Sequence, residues 1–286
     1  MLVARTMQDL TRARAATCNN GETLALVPTM GALHKGHLSL LEAARARHDR
    51  IAVSIFINPT QFNDADDLAR YPRSEDDDLK ALRTAGCDLV WMPTTETMYP
   101  DGDAVRVALD GPARGWEGAH RPGHFNGVAT VVTKLFNQIG PASAFFGEKD
   151  WQQLQVIRSV AGALFLPLTI EGVATVREAD GLAMSSRNRL LAAEDRRRAP
   201  ALYQGLLRAD AAIAQGDCVS VVLNTAREDL LLRGFDVDYL ALVDATSLSA
   251  IDGPTGGARL IAAARLGDVR LLDNIPLAPA IKSRFV

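Results

Sequence analysis

Short apolar runs alternate with amphipathic helical patterns through the first two-thirds of the chain. The apolar runs predict strands at Leu24–Val27, Arg50–Ile57, Cys87–Met92 and Ala144–Phe146. The intervening patterns predict helices at Leu38–Arg47, Ser74–Ala85, Val128–Asn137 and Asp150–Ala163. Strands that alternate with helices imply a parallel sheet with helices on its faces, and ligands of such sheets collect at the carboxyl ends of the strands.

The pattern becomes shorter and less regular in the last third of the chain. It predicts one helix over Glu194–Gln215, despite Pro200, and then strands at Val237–Ala245 and Val269–Asn274. A chain of 286 residues is long enough for two domains. We therefore expect an α/β domain over residues 1–176 and a smaller α+β domain over residues 177–286.

Composition and charge narrow the possible functions. Hydrophobic residues make up 48% and charged residues 23% of the chain, as in ordinary globular proteins. The net charge of −3 argues against a broad nucleic-acid surface, although it allows a local basic cleft. We find no signal-peptide pattern and no apolar run near the roughly 18 residues of a membrane span. Cys18, Cys87 and Cys218 lack zinc-type spacing and fit a reducing compartment, so we expect a cytoplasmic protein without a membrane partner.

The segment PTMGALHKGH joins the first predicted strand to the first predicted helix, and it carries His34 and His37. Residues three apart on a helix share a face, so both rings could point at one ligand. Helix N-termini expose N–H groups and attract phosphate, and Gly36 removes a side chain where a ligand would press on the backbone. An isolated HxxH is more often a pair of surface histidines, but the strand-turn-helix context favours a nucleotide site.

The segment FINPTQF follows the second predicted strand and places Gln61 between apolar neighbours. Its amide could both donate and accept hydrogen bonds with a small polar substrate. The alternative is an ordinary turn that Asn58 caps.

The segment FFGEKDWQQL again joins a strand to a helix. Gly147 would let a flat base approach closely, and Lys149 supplies positive charge for phosphates. Asp150 could accept hydrogen bonds from ribose hydroxyls or simply cap the helix, and Gln153 shares its face. These residues predict a second strand-end site in the same sheet.

The segment AMSSRNRLL follows a turn signal at Asp180-Gly181. The hydroxyls of Ser185 and Ser186 and the guanidinium of Arg187 would suit a mobile loop that closes over a polyphosphate. A polar loop that caps a helix is an equally good interpretation of this segment taken alone.

An acidic helix start, Glu75 to Asp78, complements the positive end of the helix dipole. One or two of these acids could instead reach a magnesium ion or its water shell. No Walker-type loop and no dinucleotide-binding GxGxxG is present in the sequence.

Together, these segments resemble the pantothenate synthetase (pantoate–β-alanine ligase) family. PTMGALHKGH looks like that family's form of the HIGH signature of the nucleotidyltransferase superfamily. The other matching segments are NPTQF, RPGHFNGVATVV, FFGEKDWQQ and MSSRN. One departure is Trp151, where tyrosine is usual. The resemblance covers nearly the whole chain and implies a Rossmann-like ATP- and pantoate-binding domain over residues 1–176, with a C-terminal lid domain over residues 177–286.

The reaction implied by the resemblance has two steps. Pantoate attacks the α-phosphorus of MgATP to give pantoyl-adenylate and pyrophosphate, and β-alanine then attacks the acyl carbon to give pantothenate and AMP. The resemblance also implies a homodimer. The implied mechanism needs no covalent enzyme nucleophile. The general base for the amine is left open. The competing interpretations are an adenylyltransferase acting on a phosphorylated acceptor, which would keep the nucleotide on its product, and a nucleotide-binding regulatory module.

The resemblance assigns roles to particular residues. ATP would be bound by Met30, Gly31, Ala32, Leu33, His34, Lys35, Gly36, His37, Gly147, Glu148, Lys149, Asp150, Val176, Met184, Ser185, Ser186 and Arg187. The catalytic residues would be His37, His34, Lys149 and Arg187. His37 would donate a proton to pyrophosphate, because a histidine pKa is ordinarily about 6.5. Gln61 and Gln153 would bind pantoate, Gln61 would also bind β-alanine, Asp77 and Asp78 would assist magnesium, and Arg121 would belong to the site.

Overall fold

The computed structural model describes residues 1–18 and 21–278. The chain divides into two compact units, the first ending at Val176 and the second beginning at Arg177. The strands of the first unit are β1 (Leu2–Ala4), β2 (Leu24–Thr29), β3 (Arg50–Ile55), β4 (Leu89–Trp91), β5 (Ser143–Gly147) and β6 (Thr169–Val173). They form one sheet in the order β1-β4-β3-β2-β5-β6, in which neighbouring strands are parallel.

Eight helices of the first unit are described. They are α1 (Met7–Thr17), α2 (Lys35–Arg45), α3 (Ala65–Arg70), α4 (Glu75–Thr84), α5 (Thr95–Met98), α6 (Trp116–His120), α7 (His124–Ile139) and α8 (Trp151–Ala163). The predicted strands and helices all occur, with shifted ends. The edge strands β1 and β6 were not predicted, because the first has only three residues and the second is half-exposed and interrupted by Gly172.

The sheet is covered on both faces, which explains its continuous apolar strands. On β2, Leu24 and Leu26 pack into a cluster with α1, α7 and α8. Ala25 and Val27 point to the opposite face and pack with α2 and α4. The alternation of strands and helices therefore produces the predicted Rossmann-like layers.

The strand order places a topological switch at the centre of the sheet. From β2 the chain moves to β3 and β4 on one side, and β5 and β6 lie on the other side. The carboxyl ends of β2 and β5 are therefore adjacent at the switch. In open parallel sheets this crevice is where ligands bind.

The second unit has its own core. The helices α9 (Ala193–Arg198), α10 (Ala201–Ala214) and α11 (Val219–Leu232) precede an antiparallel sheet of β7 (Asp236–Asp244), β8 (Ala258–Leu266) and β9 (Val269–Pro276). Buried residues of α10 and α11 share one hydrophobic cluster with the sheet. The C-terminal α+β fold is thus confirmed.

Two details of the second unit differ from the prediction. The prediction of a single helix over Glu194–Gln215 is wrong, because the helical structure is interrupted between α9 and α10. Pro200 takes the N-cap position of α10. Proline has no N–H to donate and restricts the residue before it, so a new helix starts there. The strand β8 was missed because its alanine-rich sequence, ARLIAAARL, has no strand-like alternation; it is buried along almost its whole length.

Within the described ranges, no helix is long and apolar enough to cross a membrane.

Candidate functional site at the carboxyl ends of the parallel strands

The turn after β2 has a constrained backbone. Gly31 has a φ of +83°, and a side chain there would approach Asp78 Oδ2 to 3.0 Å and Ile55 Cγ2 to 3.2 Å. Ala32 has a φ of +50°, which is uncommon for a residue with a Cβ atom. The sharp reversal directs the following residues into the start of α2.

A buried carboxylate holds this turn. Asp78, in the first turn of α4, is only 3% exposed. Its Oδ2 accepts the Ala32 N–H at 2.8 Å, and its Oδ1 accepts the Leu33 N–H at 2.7 Å. Ser74 Oγ donates to the same Oδ1 at 3.3 Å. Both carboxylate oxygens are therefore engaged by donors of the protein itself.

His34 and His37 together cap the N-terminus of α2. His34 is the N-cap residue, and its Nδ1 accepts the Gly36 N–H at 3.1 Å. His37 Nδ1 accepts the His34 N–H at 3.3 Å, and the two ring centroids are 4.1 Å apart. The pair acts as a capping box in which imidazoles replace the usual hydroxyl and carboxylate. A ring nitrogen that accepts a hydrogen bond carries no proton, so both rings are neutral with the proton on Nε2.

The electrostatic surroundings agree with a neutral His37. Burial lowers the pKa of His37 to about 3, with His34 as the next cause and Lys149 a smaller one, partly opposed by Asp150. This lowered pKa does not favour an imidazolium that donates a proton near neutral pH, and the proton-donor role of His37 stays a prediction. Its Nε2–H can instead donate a hydrogen bond without losing the proton.

Lys149 and Asp150, in the turn after β5, are near enough to this pair to act on the pKa of His37. Lys149 Nζ is 3.4 Å from Asp150 Oδ1. Asp150 stands at the N-cap position of α8 but makes no side-chain cap hydrogen bond, so capping does not explain this residue. Gly147 has an ordinary negative φ, and a Cβ atom there would meet nothing within 4 Å. The backbone conformation therefore does not require a glycine here. The absence of a side chain leaves open space beside the turn.

Gln61 ends the short 3-10 turn Pro59–Gln61 after β3, and its side chain has a fixed orientation. Asn58 Nδ2 donates to Gln61 Oε1 at 2.9 Å and to the Gly127 carbonyl at 3.2 Å. Gln61 Nε2 lies 3.5 Å from Met30 Sδ, a weak acceptor. One acceptor position of the amide oxygen is thus used, and the side chain turns its N–H donors away from Asn58. That Gln61 both donates to and accepts from a substrate stays a prediction, and this arrangement favours donation.

Asn58 is itself held in one orientation. Its Oδ1 accepts from Thr60 N at 3.3 Å, Thr60 Oγ1 at 2.9 Å and the Tyr99 hydroxyl at 2.7 Å. A backbone N–H can only donate and the Gly127 carbonyl can only accept, so the amide cannot be reversed without losing both bonds. Asn58 therefore does more than cap a turn.

The main chain of Gln61 is clamped by the start of α7. His124 Nδ1 lies 2.7 Å from the Gln61 carbonyl oxygen, and Arg121 Nη2 donates to the same oxygen at 3.2 Å. Arg121 Nη1 lies 3.3 Å from His124 Nε2, so Nε2 accepts and Nδ1 carries the proton. Burial, followed by the charge of Arg121, lowers the pKa of His124 to about 4. Gly127 completes the fit, because a Cβ atom there would lie 2.4 Å from the Thr60 carbonyl.

The two glutamines after Trp151 have different surroundings. Gln152 is buried and bonds to the backbone around residues 112–117, which marks it as a structural residue. Gln153 is half-buried, and within residues 1–18 and 21–278 its amide has no hydrogen-bond partner. Gln153 stays a predicted ligand group, and its greater exposure than Gln152 favours that prediction.

The remaining predicted residues fall in other places. Val176 is half-buried at the end of the first unit, and Asp77 is exposed on α4. In the second unit, Ser185 Oγ accepts the Arg187 N–H at 3.3 Å, and Ser186 is buried. Asn188 bonds to Glu178 Oε1 and to the Ala183 carbonyl, both at 3.0 Å, and so fixes the base of this loop.

A separate cavity of about 300 Å³ opens on the β3–β4 side of the turn after β2. It is lined by Met30, Gly31, Arg73, Ser74, Asp78 and neighbouring residues, and none of the histidines, Gln61 or Lys149 lines it. In the part of the chain that the structure describes, no three His, Cys, Asp or Glu side chains are grouped to hold a metal ion.

Local sequence patterns indicated His34, His37, Gln61 and Lys149 as candidates, but no pattern indicated the residues that support them. Asn58, Tyr99 and His124 hold Gln61, and Asp78 holds the turn after β2. The segment RPGHF marked the start of α7 as distinctive, yet nothing in it indicates that His124 reaches the carbonyl of Gln61, 63 residues away in sequence.

Comparisons with known proteins show the family of this chain. A family model described as pantoate-beta-alanine ligase matches residues 2–276. The pantothenate synthetase of Granulibacter bethesdensis is 53% identical over 286 residues, covering 99% of this chain and all of that protein. The pantothenate synthetase of Acidiphilium cryptum is 55% identical over 276 residues, covering 96% and 99% of the two chains.

Solved structures give the same result. The crystal structure of pantothenate synthetase from Thermus thermophilus has a TM-score of 0.91 and 45% identity, covering 98% of this chain and 100% of that chain. A ligase from Francisella tularensis, described as complexed with beta-gamma ATP and beta-alanine, has a TM-score of 0.82 and 32% identity, with 96% and 97% coverage.

Proposed function

The chain belongs to the pantoate–β-alanine ligase family, and we propose that the turns at the carboxyl edge of its first sheet carry out the two steps of that reaction. The protein is an ATP-using ligase that joins pantoate and β-alanine through an amide bond. The observation that carries the site assignment is the convergence of two neutral imidazoles and Lys149 at the β2–β5 switch, with Gln61 at the end of the neighbouring strand β3.

In the first step, a carboxylate oxygen of pantoate attacks the α-phosphorus of ATP. The bond from the α-phosphorus to the bridging oxygen breaks, and pyrophosphate leaves with the electron pair. Positioning and charge stabilisation are the main contributions that a protein makes to such a transfer. We assign these contributions to the Nε2–H groups of His34 and His37 and to the charge of Lys149. Pyrophosphate then departs without taking a proton from His37.

In the second step, the neutral amine of β-alanine attacks the acyl carbon of pantoyl-adenylate. The acyl carbon–oxygen bond breaks, AMP leaves, and the nitrogen loses one proton to solvent. The adenylate is already activated, so no covalent enzyme nucleophile takes part.

We propose that Gln61 donates to the oxygens of pantoate. Its amide oxygen accepts from Asn58, which orients the N–H groups so that they can donate to a carboxylate or hydroxyl oxygen. Gln153 is proposed as the second pantoate ligand because its amide is without a protein partner in the described ranges. We place β-alanine near Gln61 as well.

We also propose contacts of ATP at the carboxyl edge of the first sheet. The open space at Gly147 would take the adenosine, with Asp150 at the ribose and Val176 contributing its backbone. The amides of Ala32 and Leu33 are held by Asp78, so these two residues would approach ATP through other atoms. The other proposed contacts of ATP are those with Met30, Gly31, Lys35, Gly36, Glu148, Met184, Ser185, Ser186 and Arg187.

Several finer points rest on the family resemblance. We propose that magnesium arrives with ATP, whose phosphate oxygens are the hard ligands that it prefers. The assignment of Asp77 and Asp78 to the metal stays a prediction, and Asp78 fits it poorly because its oxygens already accept N–H groups. We also propose a cytoplasmic homodimer, with the second unit serving as the lid whose Ser185–Arg187 loop holds phosphate.

Isotope exchange between pyrophosphate and ATP tests this function directly. Pantoate and MgATP should support exchange without β-alanine, because the first step is then complete and reversible. A strict requirement for β-alanine would refute the two-step order. Release of free AMP in the complete reaction distinguishes the ligase from an adenylyltransferase, which would retain the nucleotide on its product.

A further inference from the structure

We propose that Asp78 is a positioning residue that shapes the turn after β2 for adenylation, and that it does not bind metal. The inference rests on the proposed function, because it assumes that His34 and His37 serve the first step. Asp78 comes from α4, far along the chain from the turn, yet both of its carboxylate oxygens bond to the backbone of that turn.

The hydrogen bonds carry the first part of the argument. Two short bonds, of 2.8 and 2.7 Å, join the carboxylate to consecutive backbone N–H groups. Consecutive N–H groups that converge in a turn with positive φ form an anion-binding concavity, which in many nucleotide sites receives a phosphate. Here a buried carboxylate of the protein fills that concavity. The phosphates are therefore left to the imidazole Nε2–H groups one turn further on.

The backbone conformation carries the second part. Gly31 and Ala32 both have positive φ values, of +83° and +50°. Such a conformation persists where surrounding contacts fix it, and for Ala32 the contact is the bond from its own N–H to Asp78. The position of His34 follows directly from this turn, because it is the next residue after Leu33. Loss of the carboxylate should therefore move the histidine pair.

The surroundings of Asp78 argue against a metal role. A cation on this carboxylate would sit against two N–H groups and the Ser74 hydroxyl, whose hydrogens all point at the same oxygens. No group of three potential ligands surrounds it within the described residues. A hydrogen-bonded carboxylate at 3% exposure needs no ion to be stable.

The test compares Asp78→Asn with Asp76→Asn. The first keeps the shape but loses the charge and turns an NH₂ toward one of the two backbone N–H groups. The second removes an exposed acid from the same helical turn. We expect Asp78→Asn to slow pyrophosphate–ATP exchange about tenfold or more, the scale of losing a charged hydrogen-bond acceptor. Asp76→Asn should match the wild type.

Two further measurements separate positioning from other roles. Aminolysis of supplied pantoyl-adenylate by β-alanine should change far less than exchange in Asp78→Asn, which a general loss of folding would not produce. The magnesium concentration that gives half-maximal exchange should be unchanged, and excess magnesium should not restore the rate. A raised magnesium requirement with recovery at high magnesium would overturn the proposal in favour of a metal ligand.

Ser74→Ala keeps the proposal testable if Asp78→Asn does not fold. It removes only the 3.3 Å bond to Oδ1, and it should slow exchange about two- to threefold with the same preference for the first step. Equal exchange rates in wild type and both variants would refute the role of Asp78. Absence of pantoate-dependent exchange in the wild type would instead refute the proposed function.

Discussion

The turns after β2 and β3 follow neighbouring strands, but contacts of opposite polarity hold their backbones in place. A buried negative charge, Asp78, holds the N–H groups of the turn after β2. His124 and Arg121 hold a carbonyl oxygen of the turn after β3, while Asn58 fixes the Gln61 side chain. Both arrangements end in the same result, because each turn presents N–H donors on an uncharged side chain.

This shared result fits the chemistry of the substrates. ATP and pantoate are both anionic, and neutral donors can bind their oxygens at a lower desolvation cost than additional charges. Positive charge comes from Lys149, which acts on the pKa of His37, and from Arg121 behind Gln61, and it is proposed for Arg187. The comparison therefore predicts that donor geometry matters more than charge at both turns.

The largest effect is expected at His37. His37→Ala should slow adenylate formation by on the order of 10²-fold or more, the usual scale for removing a group that stabilises transition-state charge. His37→Gln should recover at least about tenfold of this loss, because its Nε2–H can donate near the position of the imidazole Nε2–H. Single-turnover formation of pantoyl-adenylate measures both. Equal rates for the two variants would show that proton transfer, rather than hydrogen-bond donation, is required.

A slightly smaller effect is expected at Gln61. Gln61→Glu keeps the size and the bond from Asn58 but replaces the donor with an acidic oxygen that repels a carboxylate. We expect the KM for pantoate to rise by about 10- to 10²-fold, the scale of a hydrogen bond to a charged group, while the KM for ATP changes little. The control is Gln204→Glu, an exposed position on α10. If the KM values for pantoate and ATP rose together, Gln61 would not be specific to pantoate.

The smallest effect is expected at Tyr99, one contact behind Gln61. Tyr99→Phe removes the hydroxyl that donates to Asn58 Oδ1 at 2.7 Å, and it should raise the KM for pantoate about two- to tenfold. In a Gln61→Ala background the same change should have almost no effect, because the two residues act in series. Additive effects in this double-mutant cycle would mean that Tyr99 acts independently of Gln61.

Local sequence patterns predicted the parts of this edge that depend on neighbours in the chain. The strand-turn-helix pattern placed His34 and His37 at the start of a helix, and the lone glycine before Lys149 marked open space. Long-range contacts were out of reach, since no local pattern connects Asp78 to Ala32 or His124 to Gln61. The proton position on His37 also depends on such geometry, which the ordinary pKa of a histidine does not include.

In the second unit, too, local patterns predicted some elements, whereas others depend on long-range contacts. The antiparallel strands with mixed apolar and charged positions, β7 and β9, were predictable from their pattern. The alanine-rich β8 is a strand because it lies between them, with both faces covered, and burial overrides its weak propensity. Pro200 is a local signal for a helix start, because the missing N–H donor is costly inside a helix and harmless at its first residues.

The central claim is that His37 works as a neutral donor, and nitrogen NMR of the labelled, nucleotide-free enzyme tests it most directly. Burial and the neighbouring His34 lower the pKa of His37 to about 3, so the ring should stay neutral from pH 8 down to pH 5. Its Nδ1 should show the shift of an unprotonated nitrogen and its Nε2 the shift of a protonated one throughout. Titration of His37 with a midpoint near its ordinary pKa of about 6.5 would contradict the account and restore the proton-donor mechanism.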